Sequence, residues 1–267
     1  MFFLHSSNKT ENLLAHLVAV LQAAPLASPF QKEVFLIQSQ GMERWLSQQL
    51  AEELKIWANF EFFFPGKFFS SIAARIDSRL NDAALDRSLL LWRFENLLRN
   101  LHDPIYQPLQ LYLKGENIEL KRFQLAQQLA KLFDQYQIMR PDLLTCWQQG
   151  KLLYPGNSSE PWQQKLWQEL SKSLGSQHRG SFWLNAIDKF KAYLPGHFSD
   201  QLPERISIFG VNSMPPLFLD FLHGLAQHSD VHLYLLNPSE EYWADLNTQR
   251  QRAKAGITGA FEGHPLL

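Results

Sequence analysis

Residues 34–46 read Val-Phe-Leu-Ile-Gln-Ser-Gln-Gly-Met-Glu-Arg-Trp-Leu, and no other run constrains the fold as tightly. The four apolar residues at its start suit a buried strand, and Gln-Ser-Gln-Gly is turn chemistry. Met42, Trp45, Leu46, Leu50 and Leu54 then recur at helical spacing, which gives the following helix one apolar face. A buried strand leading directly into an amphipathic helix is the building unit of a parallel α/β sheet. The unit is repeated along the chain. Residues 2–4 are a short strand candidate, followed by a helix over 9–21 with Leu13, Leu14, Leu17, Val18 and Leu21 on one side. Residues 59–63 are extended, and Pro65 suits the first turn of a helix carrying Phe68, Phe69, Ile72 and Ile76. Strand-like runs return at 206–209 and 231–236, with a helix over 216–226 between them.

Between these two stretches the pattern becomes almost entirely helical, over 88–101, 121–138, 141–149, 161–174 and 182–193. Pro104, Pro108, Pro141, Pro155-Gly156 and Pro195-Gly196 punctuate it. The expected organisation is an α/β domain begun by residues 1–84, an all-helical insertion over 85–195, and a return to the α/β domain over 196–267. The polar tail through Arg250, Arg252 and Lys254 ends on His264-Pro265-Leu266-Leu267 without capping or solubilising residues, as expected of a fragment of a longer protein.

With 25 Lys and Arg against 26 Asp and Glu, the chain has no basic excess, so any nucleic-acid contact must come from local placement. Cys146 is the only cysteine, which excludes a disulfide framework and a thiolate zinc cluster and fits a reducing cytoplasm. The apolar Met1-Phe2-Phe3-Leu4-His5 is too short for a signal sequence, and no run approaches membrane-spanning length. The histidines, including His223, His228 and His232, show no metal-ligand spacing. No nucleophile elbow or other catalytic constellation is present.

A nucleotide site of the P-loop kind needs two glycines and a Lys between its first strand and first helix, so that backbone N–H groups wrap the phosphates. The equivalent turn here is His5-Ser6-Ser7-Asn8-Lys9-Thr10. It keeps Lys-Thr, lacks both glycines and is too short; Asn8 with Glu11 reads as a helix N-cap. Mg²⁺ would also need an acidic residue after a later strand. None follows Ile208-Phe209-Gly210 before Asp220, which lies within the next helix.

The helix over 121–138 carries Gln124, Gln127, Gln128, Lys131, Asp134 and Gln135 on one stripe, opposite an apolar face of Ala126, Leu129, Ala130, Phe133 and Tyr136. Amides and carboxylates offer the directional donors and acceptors that read base edges, although a solvated helix face has the same spacing. Arg75 and Arg79, one turn apart, suit phosphates or plain solvent. Aromatics from Phe60 to Phe69 suit base stacking or, more simply, a core.

Several blocks resemble the RecC family, the gamma subunits of bacterial exodeoxyribonuclease V. They are Gln38-Ser39-x-Gly41-Met42-x-x-Trp45-Leu46, Ala58-Asn59 leading to Pro65 and Phe68, Leu132-Phe133-Asp134-Gln135-Tyr136 and Arg140-Pro141-Asp142. Trp162, Leu166-Trp167, His178-Arg179, Pro203, Arg205, Phe209-Gly210, Pro215-Pro216, Asn237-Pro238 and Tyr242-Trp243 continue the series in the family's order. The resemblance implies a superfamily 1, P-loop helicase-like fold with a degenerate nucleotide site. It implies a non-catalytic subunit that guides single-stranded DNA away from a duplex end beside RecB-like and RecD-like partners, which use the ATP and Mg²⁺. It also implies recognition of a Chi-like signal, in double-strand break repair by homologous recombination, through Gln38, Leu132, Asp134, Gln135, Arg140 and Arg179. Gln40, Arg44, Phe64, Ser70 and Lys131 occupy neighbouring channel positions but depart from the family pattern; Arg44 and Lys131 add charge, which favours phosphate contact over base discrimination. Two other functions stay open: an AddB-type nuclease-helicase fragment, and an assembly scaffold without DNA contact.

Overall fold

A computed structural model describes residues 1–28, 30–77, 87–174, 178–211, 213–237 and 239. Arg79, the polar tail and the apolar C-terminal end lie outside the described residues. Among the latter, five strands form one parallel sheet in the order β1-β5-β4-β2-β3. These are β1 (Phe2–Ser7), β2 (Glu33–Leu36), β3 (Phe60–Phe63), β4 (Arg205–Phe209) and β5 (Asp230–Leu236).

The strands alternate between two buried faces, as a pleat requires. Val34, Leu36, Ile206, Ile208, Val231 and Leu233 face one side and pack under α3 (Pro65–Ile76), α9 (Arg179–Ala192) and α10 (Pro216–Leu225). Phe35, Phe209 and Tyr234 face the other, under α1 (Thr10–Ala23) and α2 (Gln40–Leu54). Burial on both faces explains why these strands read as continuous apolar runs. The central strand β4 is buried at all five positions, including Arg205, which pairs with Glu33 and donates to the Ala24 carbonyl at 2.7 Å.

The helical block is α4 (Arg87–Leu97), a 3₁₀ turn at Pro104–Tyr106, α5 (Gln107–Tyr112), α6 (Ile118–Met139), α7 (Pro141–Gln148) and α8 (Glu160–Leu174). It has its own core, built from Leu90, Phe94, Phe133, Leu144, Trp147, Leu166 and Trp167 among others. Truncating one of its buried aromatics to Ala would cost about 3–5 kcal/mol. α9, which follows this block in sequence, puts Phe182, Trp183, Ile187 and Phe190 into the sheet's core. It is therefore the strut between the two cores.

Three local features differ from the sequence pattern. α1 is not capped by Asn8: its N-cap is Lys9, without a side-chain cap bond, and the Ser7 hydroxyl accepts the Lys9 N–H at 3.2 Å. α5 forms where Pro108 suggested a break, because proline in a first helical turn removes only a donor that has no partner there. α6 begins at Ile118, three residues before the expected 121.

Candidate nucleic-acid interface

The sequence-predicted site residues fall into two sets. The first lies where the parallel strands end, the usual ligand-binding edge of such sheets. Gln38 follows β2, and its amide donates to the Ser213 carbonyl beyond β4 at 3.1 Å. Ser39 caps α2 by accepting the Met42 N–H at 3.2 Å. Gly210 closes this clasp: its φ is +68°, and a Cβ there would lie 2.7 Å from the Met42 methyl carbon. Gln40 and Arg44 are exposed in the first turns of α2. Phe64 is the N-cap residue of α3 and 46% exposed, while Phe68 and Phe69 are core, and Ser70 is half-buried on the same helix.

The second set gathers where α6, α7 and α9 meet. On α6, Gln124, Gln127, Gln128, Lys131 and Gln135 are exposed and Asp134 is half-buried, so the polar stripe exists as a surface. Leu132 is half-buried against the helical core. Arg179, at the start of α9, donates from Nη1 to Asp134 Oδ1 at 3.1 Å, and its backbone N–H donates to Gln137 Oε1 at 3.1 Å. Gly180 admits this approach, since a Cβ there would collide with the Gln137 carbonyl and the Pro141 ring. Arg140, at the α6–α7 corner, grips Asp142 with Nε at 3.0 Å and Nη2 at 2.8 Å. Its guanidinium also lies 5.5 Å from the centre of the Tyr154 ring. The bond to Asp142 and then the contact with Tyr154 hold Arg140 charged well above its usual range, and Arg140 in turn holds the Asp142 carboxyl low.

α9 relates the two sets. One turn after Arg179, Trp183 packs edge-on against Phe69 of α3 at 6.0 Å and Phe218 of α10 at 5.4 Å. The Arg179 end of α9 thus lies at the same end as the starts of α3 and α10, beside the strand termini. Sequence reasoning missed Gln137, Gly180, Tyr154 and Glu160. Gln137 alone left a signal, a polar residue one helical turn from Phe133 on the apolar face of α6.

The strand-to-helix turn at the other sheet edge is short. β1 ends at Ser7 and α1 begins at Thr10, so Asn8 and Lys9 are the whole connection. Asp220 is exposed on α10. Among the described residues no three His, Cys, Asp or Glu side chains gather as metal ligands, and no helix is long and apolar enough to cross a membrane.

A family model described as RecC, N-terminal domain, matches residues 2–267. The chain is 31% identical over 264 residues to the RecBCD enzyme subunit RecC of Escherichia coli K12, covering 95% of this chain and 23% of that protein. It is 32% identical over 275 residues to the subunit of the same name from Mycolicibacterium smegmatis, covering 99% of this chain and 24% of the relative. The Haemophilus influenzae subunit is 29% identical over 274 residues, covering 94% and 24%. The chain spans about a quarter of the length of these relatives.

Proposed function

Since this chain belongs to the RecC family, by its N-terminal domain, we propose that it is a DNA-guiding, non-catalytic part of a RecBCD-type helicase–nuclease. One observation carries most of the weight: Arg140 and Arg179, each oriented by a carboxylate, border the exposed polar stripe of α6. Fixed guanidinium groups suit phosphates, and the amides beside them suit unstacked bases of a single strand. Gln38, Leu132, Asp134, Gln135, Arg140 and Arg179 are the residues assigned to recognition of a Chi-like signal. Gln40, Arg44, Phe64, Ser70 and Lys131 flank the path of the strand.

The fold is proposed to be a superfamily 1 helicase-like sheet whose nucleotide site has degenerated. A two-residue turn cannot wrap a triphosphate, and Glu11 puts negative charge at the start of α1, where an anion would have to sit. ATP and Mg²⁺ then belong to RecB-like and RecD-like partners, in the cytoplasm, at a double-strand break destined for homologous recombination.

A scaffold function is favoured by a different observation. Trp92 on α4 is 61% exposed and lies 6.1 Å from exposed Phe123 on α6, with Leu89 and Leu120 also exposed on these helices. Such a surface suits a protein partner.

The test is single-strand binding by fluorescence anisotropy at several salt concentrations. Guiding through Arg140 and Arg179 predicts salt-dependent binding that weakens in Arg140→Ala and Arg179→Ala. No binding even at low salt would favour the scaffold, and binding that ignores both substitutions would remove Arg140 and Arg179 from the strand's path.

A further inference from the structure

Glu160, the first residue of α8, is a carboxylate only 3% exposed. An ion this deep is tolerated when its oxygens are hydrogen-bonded. Oε1 accepts the Trp147 indole N–H at 2.9 Å and the Leu153 N–H at 2.7 Å, and Oε2 accepts the Tyr154 N–H at 2.6 Å. Burial pushes its pKa up, but the three donors and the charge of Arg140 outweigh it and hold the group below its usual range.

Two of those donors are successive backbone N–H groups. Holding both fixes the main chain at 153–154, and with it the direction in which the Tyr154 side chain leaves the loop. That ring is the platform 5.5 Å from the Arg140 guanidinium, within cation–π range. Asp142 secures the same guanidinium through Nε and Nη2. The loop has other ties to its neighbours: Gln164 donates to the Lys151 carbonyl and Gln168 to the Trp147 carbonyl, both at 2.8 Å. Closing the loop therefore does not require Glu160. An apolar side chain would also fill its site without the desolvation cost of a buried charge. The carboxylate adds direction.

We propose that Glu160 is a positioning residue for Arg140, acting through Tyr154, so that the guanidinium is pre-aimed before a single strand arrives. The proposal rests on the assignment of Arg140 as a strand contact. Pre-orientation matters because a free arginine loses rotamer entropy on binding, whereas one already stacked and paired has lost it in the folded state.

Two measurements on the full chain test it: exchange protection of the Arg140 Nε–H by NMR, and affinity for a fluorescein-labelled oligo(dT). In Glu160→Gln one oxygen becomes an amide nitrogen, so one of the three donors loses its acceptor while side-chain size is kept. Tyr154→Leu removes the platform without touching the buried carboxylate, which keeps the test valid if Glu160→Gln folds poorly. Each variant should lower Arg140 protection and weaken oligo(dT) binding roughly threefold to tenfold, the scale of one oriented charged contact. Neither should weaken binding further in an Arg140→Ala background. Unchanged protection in a folded Glu160→Gln or in Tyr154→Leu, or equal weakening with and without Arg140, would overturn the proposal. If Arg140→Ala leaves binding intact, Arg140 is not a strand contact, and the exchange measurement still decides whether Glu160 orients it.

Discussion

Arg179 Nη1 lies 3.1 Å from Asp134 Oδ1, and this contact ties the start of the sheet-packed helix α9 to the helical block. The two side chains are 17% and 23% exposed, so water screens the pair only in part. A double-mutant cycle with Asp134→Ala and Arg179→Ala, read by urea denaturation, is expected to give a coupling of about 1–2 kcal/mol. A coupling near zero would mean that other contacts at the joint, the bond to Gln137 among them, set it.

The same joint predicts the cost of a single methyl group. In Gly180→Ala the new Cβ meets the Gln137 carbonyl oxygen and the Pro141 ring, neither of which is the end of a flexible side chain. Backbone must shift, at a cost of about 1–3 kcal/mol. Gly156→Ala, where a Cβ meets nothing within 4 Å, is the control. Equal urea midpoints for the two variants would refute the close approach.

Stability should fall between neutral pH and pH 5. His178 is 0% exposed, and its Nδ1 accepts the Ser181 N–H at 3.2 Å to cap α9, which only a neutral imidazole can do. Burial lowers its pKa to about 4. His232 is also lowered to about 4, first by burial and then by neighbouring His5, whose Nε2 is 3.1 Å from His232 Nδ1. Unfolded histidines titrate near 6.5, so between pH 6.5 and 4 the unfolded chain binds protons that the native chain refuses. The stabilisation is complete above 6.5 and is lost as pH falls, by about 2 kcal/mol at pH 5 for the fully enclosed His178 and by less for His232, which water screens in part. The carboxyls of Glu95, Asp142 and Glu160, held low, withdraw their contribution only at more acidic pH. Urea midpoints at pH 7.5 and 5.0 check this, and His178→Asn, a cap that does not titrate, should shrink the difference. An undiminished difference would exonerate His178.

The parallel sheet was legible because burial on both faces leaves an unmistakable mark, as in Val34 to Ile37, and because each strand leads into a helix with one apolar side. The stripe on α6 was legible for the same reason. What stayed hidden depends on contacts between segments. Glu160 beside Pro161 looks like an ordinary acidic helix start until Trp147 and the 153–154 backbone close over it. Gly180 resembles any helix-opening glycine until α6 arrives. The start of α1 misled because the Ser7 hydroxyl, still on β1, takes the Lys9 N–H and leaves Asn8 without a capping task.

That start also fixes the expected response to nucleotide. A P-loop works by turning successive N–H groups toward phosphate, and here the connection has two residues, one of whose N–H groups is engaged by Ser7. The Ser7 hydroxyl also accepts the Asn12 amide at 3.3 Å, which ties the first turn of α1 back to β1. Opening the turn would break both bonds and still supply neither glycine. ATP with Mg²⁺ should therefore leave the melting temperature unchanged and should not be turned over, in the native chain and in Lys9→Ala alike. A ligand present at a hundredfold over its Kd would add about 2.7 kcal/mol, a shift readily seen in a melt. A nucleotide-induced rise in melting temperature that disappears in Lys9→Ala would show that the turn still binds phosphate, and the proposal of a degenerate nucleotide site would fall.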